Sequence, residues 1–337
     1  MVFPKHTPPL QIATAGEALI DMIQEADGRL QPCAGGAVYN LTRALGLQGV
    51  GTLYLNPLSQ DRFGRELAAG LSRAGVVQAR EAPVPQPTSL AVVGLDAQGK
   101  ASYSFYRDGV ADREVDAAGL MAACSAAPTL RVVATGCLAL VAEDSPRYLP
   151  WLKAQRAAGV LVVVDANLRP ALASDMAAYR ESVLAALQQA HLIKASDDDL
   201  LMLDLEGDDA MAQARDLLAR TQATWLALTL GAKGATLLHR DGRAWHASET
   251  APVTVADTVG AGDCFLAGLL VALLQRPSLP ASPHADPLQW TDSDVRQLLA
   301  HAVASASLCV MQTGCVPPSL AEVTARLQTA PPAIHTC

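Results

Sequence analysis

Short apolar runs rich in valine, leucine and isoleucine alternate along the chain with longer segments whose apolar residues recur at helical spacing. The short runs predict β-strands at residues 10–15, 51–55, 130–135, 160–165, 191–194 and 225–230. The longer segments predict helices at residues 37–47, 62–74, 145–158, 175–190 and 210–221. Strands that alternate with helices indicate a mostly parallel sheet with helices on both faces. Ligands of such sheets bind beyond the carboxyl ends of the strands.

Two segments break this alternation. Residues 18–23 and 30–33 predict a short ribbon, and residues 88–95 and 101–107 flank a polar turn at 96–100 that is typical of a β-hairpin. We expect both to form a small sheet that covers the crevice as a lid, made of about residues 17–34 and 87–113 within one domain spanning 1–337. Further along, residues 276–287 predict a surface loop, and residues 292–312 predict a helix.

Composition narrows the class of protein. The 337 residues are 50% hydrophobic, which suffices for one large α/β domain or two smaller ones. The net charge is −8 and no lysine–arginine cluster stands out, so we expect no nucleic-acid partner and no anionic membrane partner. The start of the chain lacks a signal-peptide core, and no segment has the roughly 20 apolar residues that span a bilayer. These features predict a cytoplasmic protein.

Seven cysteines occur without a Cys-x-x-Cys motif, and seven histidines occur without a His-x-x-x-His motif. This pattern favours free thiols in a reducing compartment and predicts no zinc site. Cys264 directly follows an aspartate in a glycine-rich segment. For this cysteine we expect a small packing residue rather than a nucleophile.

Residues 257–263 read Asp-Thr-Val-Gly-Ala-Gly-Asp, and an apolar run follows at once. Small residues at a helix start leave backbone N–H groups free to converge on an anion, which the helix dipole also favours. The carboxylate of Asp263 in the first turn would accept a proton from an attacking hydroxyl. These parts suit phosphoryl transfer to an alcohol. The alternative is a plain glycine turn with a favourable helix-start charge.

The whole string resembles the C-terminal signature of the ribokinase-like (PfkB) family of carbohydrate kinases. Residues 34–40, Ala-Gly-Gly-Ala-Val-Tyr-Asn, resemble the N-terminal signature of the same family. Intermediate landmarks lie in family order at residues 60–64, 165–169, 194–199 and 229–234. The resemblance covers roughly residues 12 to 318. It implies a ribokinase-like three-layer α/β sandwich with a mostly parallel central sheet and a small β-sheet lid.

The resemblance also implies ATP and Mg²⁺, often with a monovalent cation such as K⁺, and it implies residue roles. Asp263 would be the base, and Gly260, Ala261 and Gly262 would form the anion hole. The residues implied at the sugar are Asp21, Gly35, Gly36, Asn40, Arg107 and Arg169. The residues implied at the nucleotide are Lys194, Ser196, Thr229, Gly231, Gly234, Thr258 and Ser305. Asp199 would hold Mg²⁺ through water, and Asp257 would belong to the monovalent-cation loop.

Four positions depart from the family pattern. Ser59 stands where a glycine is common. Ser196 and Asp199 stand where members usually carry asparagine and glutamate, and Asp199 is one carbon shorter than glutamate. Ser305 stands where many members carry asparagine beside the adenine. Ser196 and Asp199 still offer oxygen ligands. The shorter side chain of Asp199 puts the positioning of a metal-bound water in doubt.

Residues 16–21, 104–107 and 165–169 together look most like bacterial fructokinases, which implies phosphorylation of D-fructose to fructose 6-phosphate. Kinases of 2-dehydro-3-deoxygluconate share Arg107 and Arg169, but tend to carry a tyrosine near Phe105. The alternative role of Arg107 is an ion pair with a neighbour such as Asp108 or Asp112.

A different class also stays open. Some relatives of these kinases are non-catalytic interaction proteins, although the intact base and glycine loop disfavour that interpretation. We further expect a sugar and ATP as small-molecule ligands, and the lid as a candidate homodimer contact.

Overall fold

The computed structural model describes residues 8–25, 27–95, 101–276 and 290–337. Its strands are β1 (Ile12–Thr14), β2 (Leu19–Gln24), β3 (Leu30–Gly35), β4 (Thr52–Tyr54), β5 (Val77–Gln78), β6 (Ser89–Leu95), β7 (Ala101–Tyr106), β8 (Val132–Gly136), β9 (Leu161–Asp165), β10 (Leu192–Ser196), β11 (Trp225–Thr229), β12 (Ala235–His239), β13 (Ala244–Ser248) and β14 (Ala333–Thr336). Its helices are α1 (Ala37–Leu47), α2 (Arg62–Arg73), α3 (Ala117–Ser125), α4 (Ser145–Ala157), α5 (Met176–Leu187), α6 (Asp197–Leu201), α7 (Ala210–Arg220), α8 (Ala261–Leu274), α9 (Asp292–Val310) and α10 (Leu320–Thr329).

The main sheet has the strand order β14-β13-β12-β11-β10-β9-β8-β1-β4-β5. Every pairing from β11 to β5 is parallel, and the pairings from β11 out to β14 are antiparallel. Strand β9, Leu-Val-Val-Val-Asp, is buried along its whole length, as a central parallel strand covered on both faces should be. The carboxyl ends of β1, β8, β9, β10 and β11 therefore meet along one edge of the sheet.

Helices cover both faces of this sheet and give three layers. One core cluster joins the sheet to α4, α5 and α7 through side chains such as Trp151, Tyr179 and Leu217. A second cluster on the other face joins it to α1, α8 and α9 through Leu41, Leu266 and Leu298. This confirms the predicted three-layer α/β sandwich, because each helix buries its apolar face against one side of the sheet.

Most helices begin at a short polar side chain that caps the first free N–H groups. Aspartates cap α2, α3, α5 and α7, and α9 and α10 begin with a capping box at Thr291 and Ser319. Helix α8 is different, since its N-cap Gly260 is left-handed with φ of 77° and has no side-chain cap. The Ala261 N–H donates to the Thr258 carbonyl at 3.3 Å, so the N–H groups that follow it are the ones left for another partner.

A separate four-stranded sheet has the order β3-β2-β6-β7. The predicted ribbon corresponds to the antiparallel pair β2–β3, and the predicted hairpin to the antiparallel pair β6–β7. Strands β2 and β6 pair in parallel, which joins the two hairpins into one sheet. The predicted turn at residues 96–100 lies outside the described residues, as does the predicted loop after Arg276. The role of this small sheet as a lid stays a prediction.

All the predicted strands and helices occur, with ends that shift by a few residues. Strands β5 and β12 to β14 and the helices α3, α6 and α10 were not predicted. Strands β12 and β13 mix threonine, histidine and tryptophan with alanine and leucine, so their periodicity is weak. Within the described ranges, no helix is long and apolar enough to cross a membrane.

Candidate active site

Asp263 lies in the first turn of α8, directly after the glycine loop, with only 7% of its surface exposed. Its Oδ2 accepts a hydrogen bond of 2.9 Å from Nδ2 of Asn40. Burial raises the pKa of Asp263 from 3.8 to about 6, although the Asn40 hydrogen bond and the charges of Lys194 and Arg169 oppose the rise. A carboxylate with this pKa is mostly ionised at neutral pH and still basic enough to accept a proton.

Asn40 is placed by the start of α1, whose N-cap is Gly36 with φ of 101°. An added Cβ at Gly36 would come within 3.0 Å of the Glu17 carbonyl oxygen, so only glycine suits this turn. Asn40 is 4% exposed, and its Oδ1 has no hydrogen-bond partner among the described residues. A buried polar atom of this kind is costly unless a ligand satisfies it.

Asp21 lies on β2 and faces the same region. Burial raises its pKa from 3.8 to about 6; the charge of Arg169 lowers that pKa, and the charge of Asp263 raises it. These mutual effects place Asp21, Arg169 and Asp263 in one electrostatic neighbourhood. An added Cβ at Gly35 would overlap the carboxylate of Asp21, so Gly35 leaves space that this side chain needs.

Lys194 on β10 lies beneath the glycine loop, because a Cβ at Gly262 would be 3.0 Å from its Nζ. The ammonium group is 3.0 Å from Oδ1 of Asp165, which ends the neighbouring strand β9. Both side chains are buried, and burial raises the pKa of Asp165 from 3.8 to about 7 while the charge of Lys194 opposes the rise. This pair brings positive charge close to the loop where an anion is expected.

Arg169 follows β9 and is held by its own turn. Its Nη1 donates to the Asn167 side-chain oxygen at 2.8 Å and to the Leu168 carbonyl at 3.0 Å. Asn167 has φ of 37°, a conformation that asparagine tolerates better than most residues. The turn thus fixes the guanidinium near the carboxylates of Asp21 and Asp263.

Asp199 and Ser196 form a capping box at the start of α6. Oδ2 of Asp199 accepts from the backbone N and the hydroxyl of Ser196, both at 2.8 Å, and Oδ1 accepts from the Leu168 N–H at 2.7 Å. A carboxylate accepts about four hydrogen bonds, so these contacts leave about one lone pair for a metal-bound water. The Mg²⁺ role of Asp199 stays a prediction.

The other residues expected at the nucleotide differ in accessibility. Thr229 ends β11 half-buried, and Thr258 is exposed. Gly231 and Gly234 have φ of 57° and 97°, so the turn between β11 and β12 needs glycine at both positions. Ser305 is fully buried and its hydroxyl accepts from Gln48 at 3.1 Å. Ser305 also lies against Gly268 of α8. Its role at the nucleotide stays a prediction.

Asp257, expected in a monovalent-cation loop, joins two loops. Its Oδ1 accepts from the Val259 N–H at 3.0 Å and its Oδ2 from the Gly314 N–H at 2.9 Å. The glycine loop is thereby tied to the segment after α9. The cation role of Asp257 stays a prediction.

Arg107 follows β7 and is 8% exposed. Its Nη2 is 3.2 Å from Asp144 and 3.9 Å from Asp112, both of them buried carboxylates. Asp144 also pairs with Arg113 and Arg147, each at 2.9 Å. The alternative ion pair for Arg107 therefore exists, with Asp144 as the nearer partner, and it ties the small sheet to the start of α4.

Two buried carboxylates at the site were given no role of their own by the sequence, although Asp165 lies in the landmark segment 165–169. Glu17 is 1% exposed, and its Oε1 accepts from the Ala37 N–H at 2.8 Å, where it caps α1. Burial raises the pKa of Glu17 from 4.5 to about 7. Asp165 is the partner of Lys194 described above. Asp165 is the last residue of the apolar strand β9, and that position is the signal for it, whereas Glu17 lies between β1 and β2, where no local pattern marks it.

The assembled parts suit one kind of chemistry. Asp263, with a pKa of about 6, lies in the first turn of a helix whose N-cap, Gly260, is left-handed and has no side-chain cap, and Lys194 and Arg169 are close by. Such a site holds an anion at the helix start and removes a proton from a nucleophile beside it.

Comparisons with known proteins agree with this geometry. Residues 10–322 match the family described as pfkB family carbohydrate kinase. A fructokinase of Rhizobium leguminosarum bv. trifolii is 32% identical over 266 residues, which cover 78% of this chain and 79% of that protein. A fructokinase of Klebsiella pneumoniae is 32% identical over 265 residues, which cover 78% of this chain and 84% of the Klebsiella protein.

Solved structures agree as well. The crystal structure of fructokinase from Xylella fastidiosa with bound ATP matches with a TM-score of 0.80 and 27% identity, over 95% of this chain and 98% of that chain. The family match covers far more than half of the sequence and includes Asp263, the glycine loop and both segments that resemble the family signatures. The chain therefore belongs to the pfkB family of carbohydrate kinases.

Proposed function

We propose that this protein transfers the γ-phosphoryl group of ATP to a free hexose, and that its substrate is D-fructose, converted to fructose 6-phosphate. The observation that carries the proposal is the buried Asp263, with a pKa near 6, at the start of α8, which no side chain caps. The relatives named fructokinase support the choice of sugar, and the ATP-bound Xylella fastidiosa enzyme supports the choice of nucleotide.

In the proposed mechanism, Asp263 accepts the proton of the sugar hydroxyl that attacks the phosphorus. Backbone N–H groups of Gly260, Ala261 and Gly262 stabilise the negative charge that spreads over the transferring phosphoryl oxygens. Lys194 and Arg169 add positive charge to the same region. Asn40 orients Asp263 through its 2.9 Å hydrogen bond, which also keeps the base ionised.

The sugar would be held by groups that already lack partners or carry charge. Asp21 offers a carboxylate for two hydroxyls, and the unpartnered Oδ1 of Asn40 offers one more acceptor. Gly35 and Gly36 let the ligand approach the backbone. Arg169 donates from the opposite side.

Mg²⁺ when bound would neutralise phosphate charge on the nucleotide. The donor set of the chain fits this group through water, because Asp199 keeps about one free lone pair. Asp257 and its loop would serve a monovalent cation such as K⁺.

The state of Arg107 bears on the alternative substrate, 2-dehydro-3-deoxygluconate. A substrate carboxylate would have to compete with Asp144 and Asp112 for this arginine. Fructose has no carboxylate and needs no such exchange. The ion pairs therefore favour a neutral sugar.

A coupled assay of ADP release tests the proposal over fructose, ribose, tagatose, 2-dehydro-3-deoxygluconate and nucleosides. We expect the highest kcat/KM with fructose. A clear preference for the keto acid would replace the substrate but keep the kinase. No turnover with any acceptor would favour the non-catalytic class of kinase-like interaction proteins.

We further propose a cytoplasmic location, which the absence of disulfides among all seven cysteines supports. The small sheet would be the contact in a homodimer. Leu30 and Tyr106 on its strands are 43% and 61% exposed, and such exposed apolar side chains are typical of contact surfaces. Light scattering of the wild type and of Tyr106→Glu would test this contact.

A further inference from the structure

Three cysteines that are far apart in sequence meet behind the glycine loop. Cys264 lies in the first turn of α8, Cys309 in the last turn of α9, and Cys315 in the segment that follows α9. Their Sγ atoms all lie within 4.8 Å of one another. Cys264 and Cys309 have no exposed surface, whereas Cys315 is half-buried and gives the cluster one open side.

This cluster is the floor of the proposed anion hole. The thiol of Cys309 donates to the Val259 carbonyl at 3.6 Å, and the Cys264 N–H donates to the Gly260 carbonyl at 2.8 Å. An added Cβ at Gly260 would overlap the sulfur of Cys315. The side chain of Cys315 therefore lies directly against the backbone of Gly260.

The separations suit one metal ion. Zinc–sulfur bonds of about 2.3 Å in tetrahedral geometry place the sulfurs about 3.8 Å apart, so closing from within 4.8 Å needs only small side-chain rotations. Soft thiolates select d¹⁰ ions such as Zn²⁺, Cd²⁺ and Cu⁺. Three protein ligands also leave the fourth position open, here on the side of Cys315.

We propose that Cys264, Cys309 and Cys315 form a three-thiolate site for a single d¹⁰ metal ion of the Zn²⁺ class, and that its occupancy inhibits the enzyme. Binding of a divalent ion releases three thiol protons and leaves a complex of net charge −1. That charge lies directly behind the loop that must receive a phosphoryl anion, and the tightened sulfurs pull on Gly260. The site goes beyond the proposed function, and only its inhibitory effect depends on that function.

The direct test uses Cd²⁺ as the probe, with the full-length protein under argon in a phosphine reductant. Thiolate-to-Cd²⁺ charge-transfer absorption reports the ligands, and native mass spectrometry reports the stoichiometry. We expect one Cd²⁺ per chain with three thiolate bonds, displaced by excess Zn²⁺. Binding of no Cd²⁺ at one equivalent, or an absorption band of one thiolate bond, would overturn the proposal.

Variants identify the ligands. Cys315→Ala should weaken Cd²⁺ binding on the order of 100-fold or more, because even the loss of an outer-shell contact costs 10- to 100-fold. Cys337→Ser is the matched control, since Cys337 is exposed and lies at the end of the chain, and it should bind like the wild type. Equal weakening in both variants, or in neither, would contradict the assignment.

A second measurement does not require any variant to fold. Iodoacetamide should alkylate Cys33, Cys315 and Cys337 in the metal-free wild type, because these three are not fully buried, and one equivalent of Cd²⁺ should protect Cys315 alone. Protection of neither residue would contradict the site. Loss of ADP release at one equivalent, restored by a chelator, tests the inhibition separately from the binding.

Discussion

Substitution of Asp263 by asparagine isolates the charge of the proposed base. The amide has nearly the same shape and keeps an oxygen for the 2.9 Å hydrogen bond from Asn40. It has no basic oxygen to accept a proton, so kcat with fructose should fall by a factor on the order of 10² to 10⁴. The KM for fructose should change by only a few-fold, because the sugar contacts lie on other residues.

The raised pKa of Asp263 sets the size of two further effects, one on the pH dependence of kcat/KM and one on the free energy of unfolding. With a pKa of about 6, Asp263 is about nine-tenths ionised at pH 7 and about one-tenth ionised at pH 5, so wild-type kcat/KM should fall about tenfold between them. Burial of the ionised carboxylate also costs the folded state. Asparagine removes this cost and should raise the free energy of unfolding at pH 7 by up to about 3 kcal/mol.

The assay combines ADP-coupled kinetics with urea unfolding at pH 5 and pH 7. Asp198→Asn is the matched control, since Asp198 is an exposed carboxylate in the first turn of α6. That control should change neither kcat nor stability appreciably. A near-normal kcat in Asp263→Asn, or an unchanged pH profile below 7, would show that Asp263 is only a helix-start charge.

Four other changes probe the surroundings of the base. Gly260→Ala and its control Gly314→Ala both place a side chain at a φ near +75°, but only the first also brings a Cβ onto the sulfur of Cys315. ADP release should therefore fall much further in Gly260→Ala, and equal losses in the two variants would contradict this. The pKa of Glu17 is about 7 in the folded state and 4.5 in the unfolded chain. Between these pH values the folded state keeps a proton that the unfolded chain has lost. The free energy of unfolding should therefore fall by about 3 kcal/mol as pH rises from 4.5 to 7. Glu17→Gln should remove this fall in urea titrations, and an unchanged slope would refute the assignment. Arg107→Ala removes the arginine beside the buried Asp112 and one of the three arginines that pair with Asp144, so unfolding stability should fall by up to about 3 kcal/mol with a moderate loss of fructose turnover. A large rise in KM without loss of stability would indicate a substrate contact instead. Hydrogen exchange in the described parts of residues 88–107 should slow when fructose and a non-hydrolysable ATP analogue bind, and unchanged exchange would argue for a static sheet.

Local patterns decided the elements of the fold. The apolar run of β9 and the periodic helix α7 were predictable because each depends on its own residues and on a capping group such as Asp209. The glycine loop and Asp263 were predictable for the same reason, since a left-handed turn and a helix start are local features. Strands β12 to β14 escaped prediction because their mixed composition becomes a strand only when β11 offers an edge for pairing.

Packing over long sequence distances decided the chemistry of the site. The bond between Asn40 and Asp263 joins residues 223 positions apart, and the pKa near 6 arises from burial that no local pattern measures. Arg107 was assigned a salt bridge with a sequence neighbour as its alternative, yet Asp144 is the nearer partner because the small sheet docks against α4. The spacing of cysteines predicted no zinc site, but the packing of α8 against α9 brings three thiols together. Charge and ligand geometry depend on which surfaces meet, and only the tertiary structure settles that.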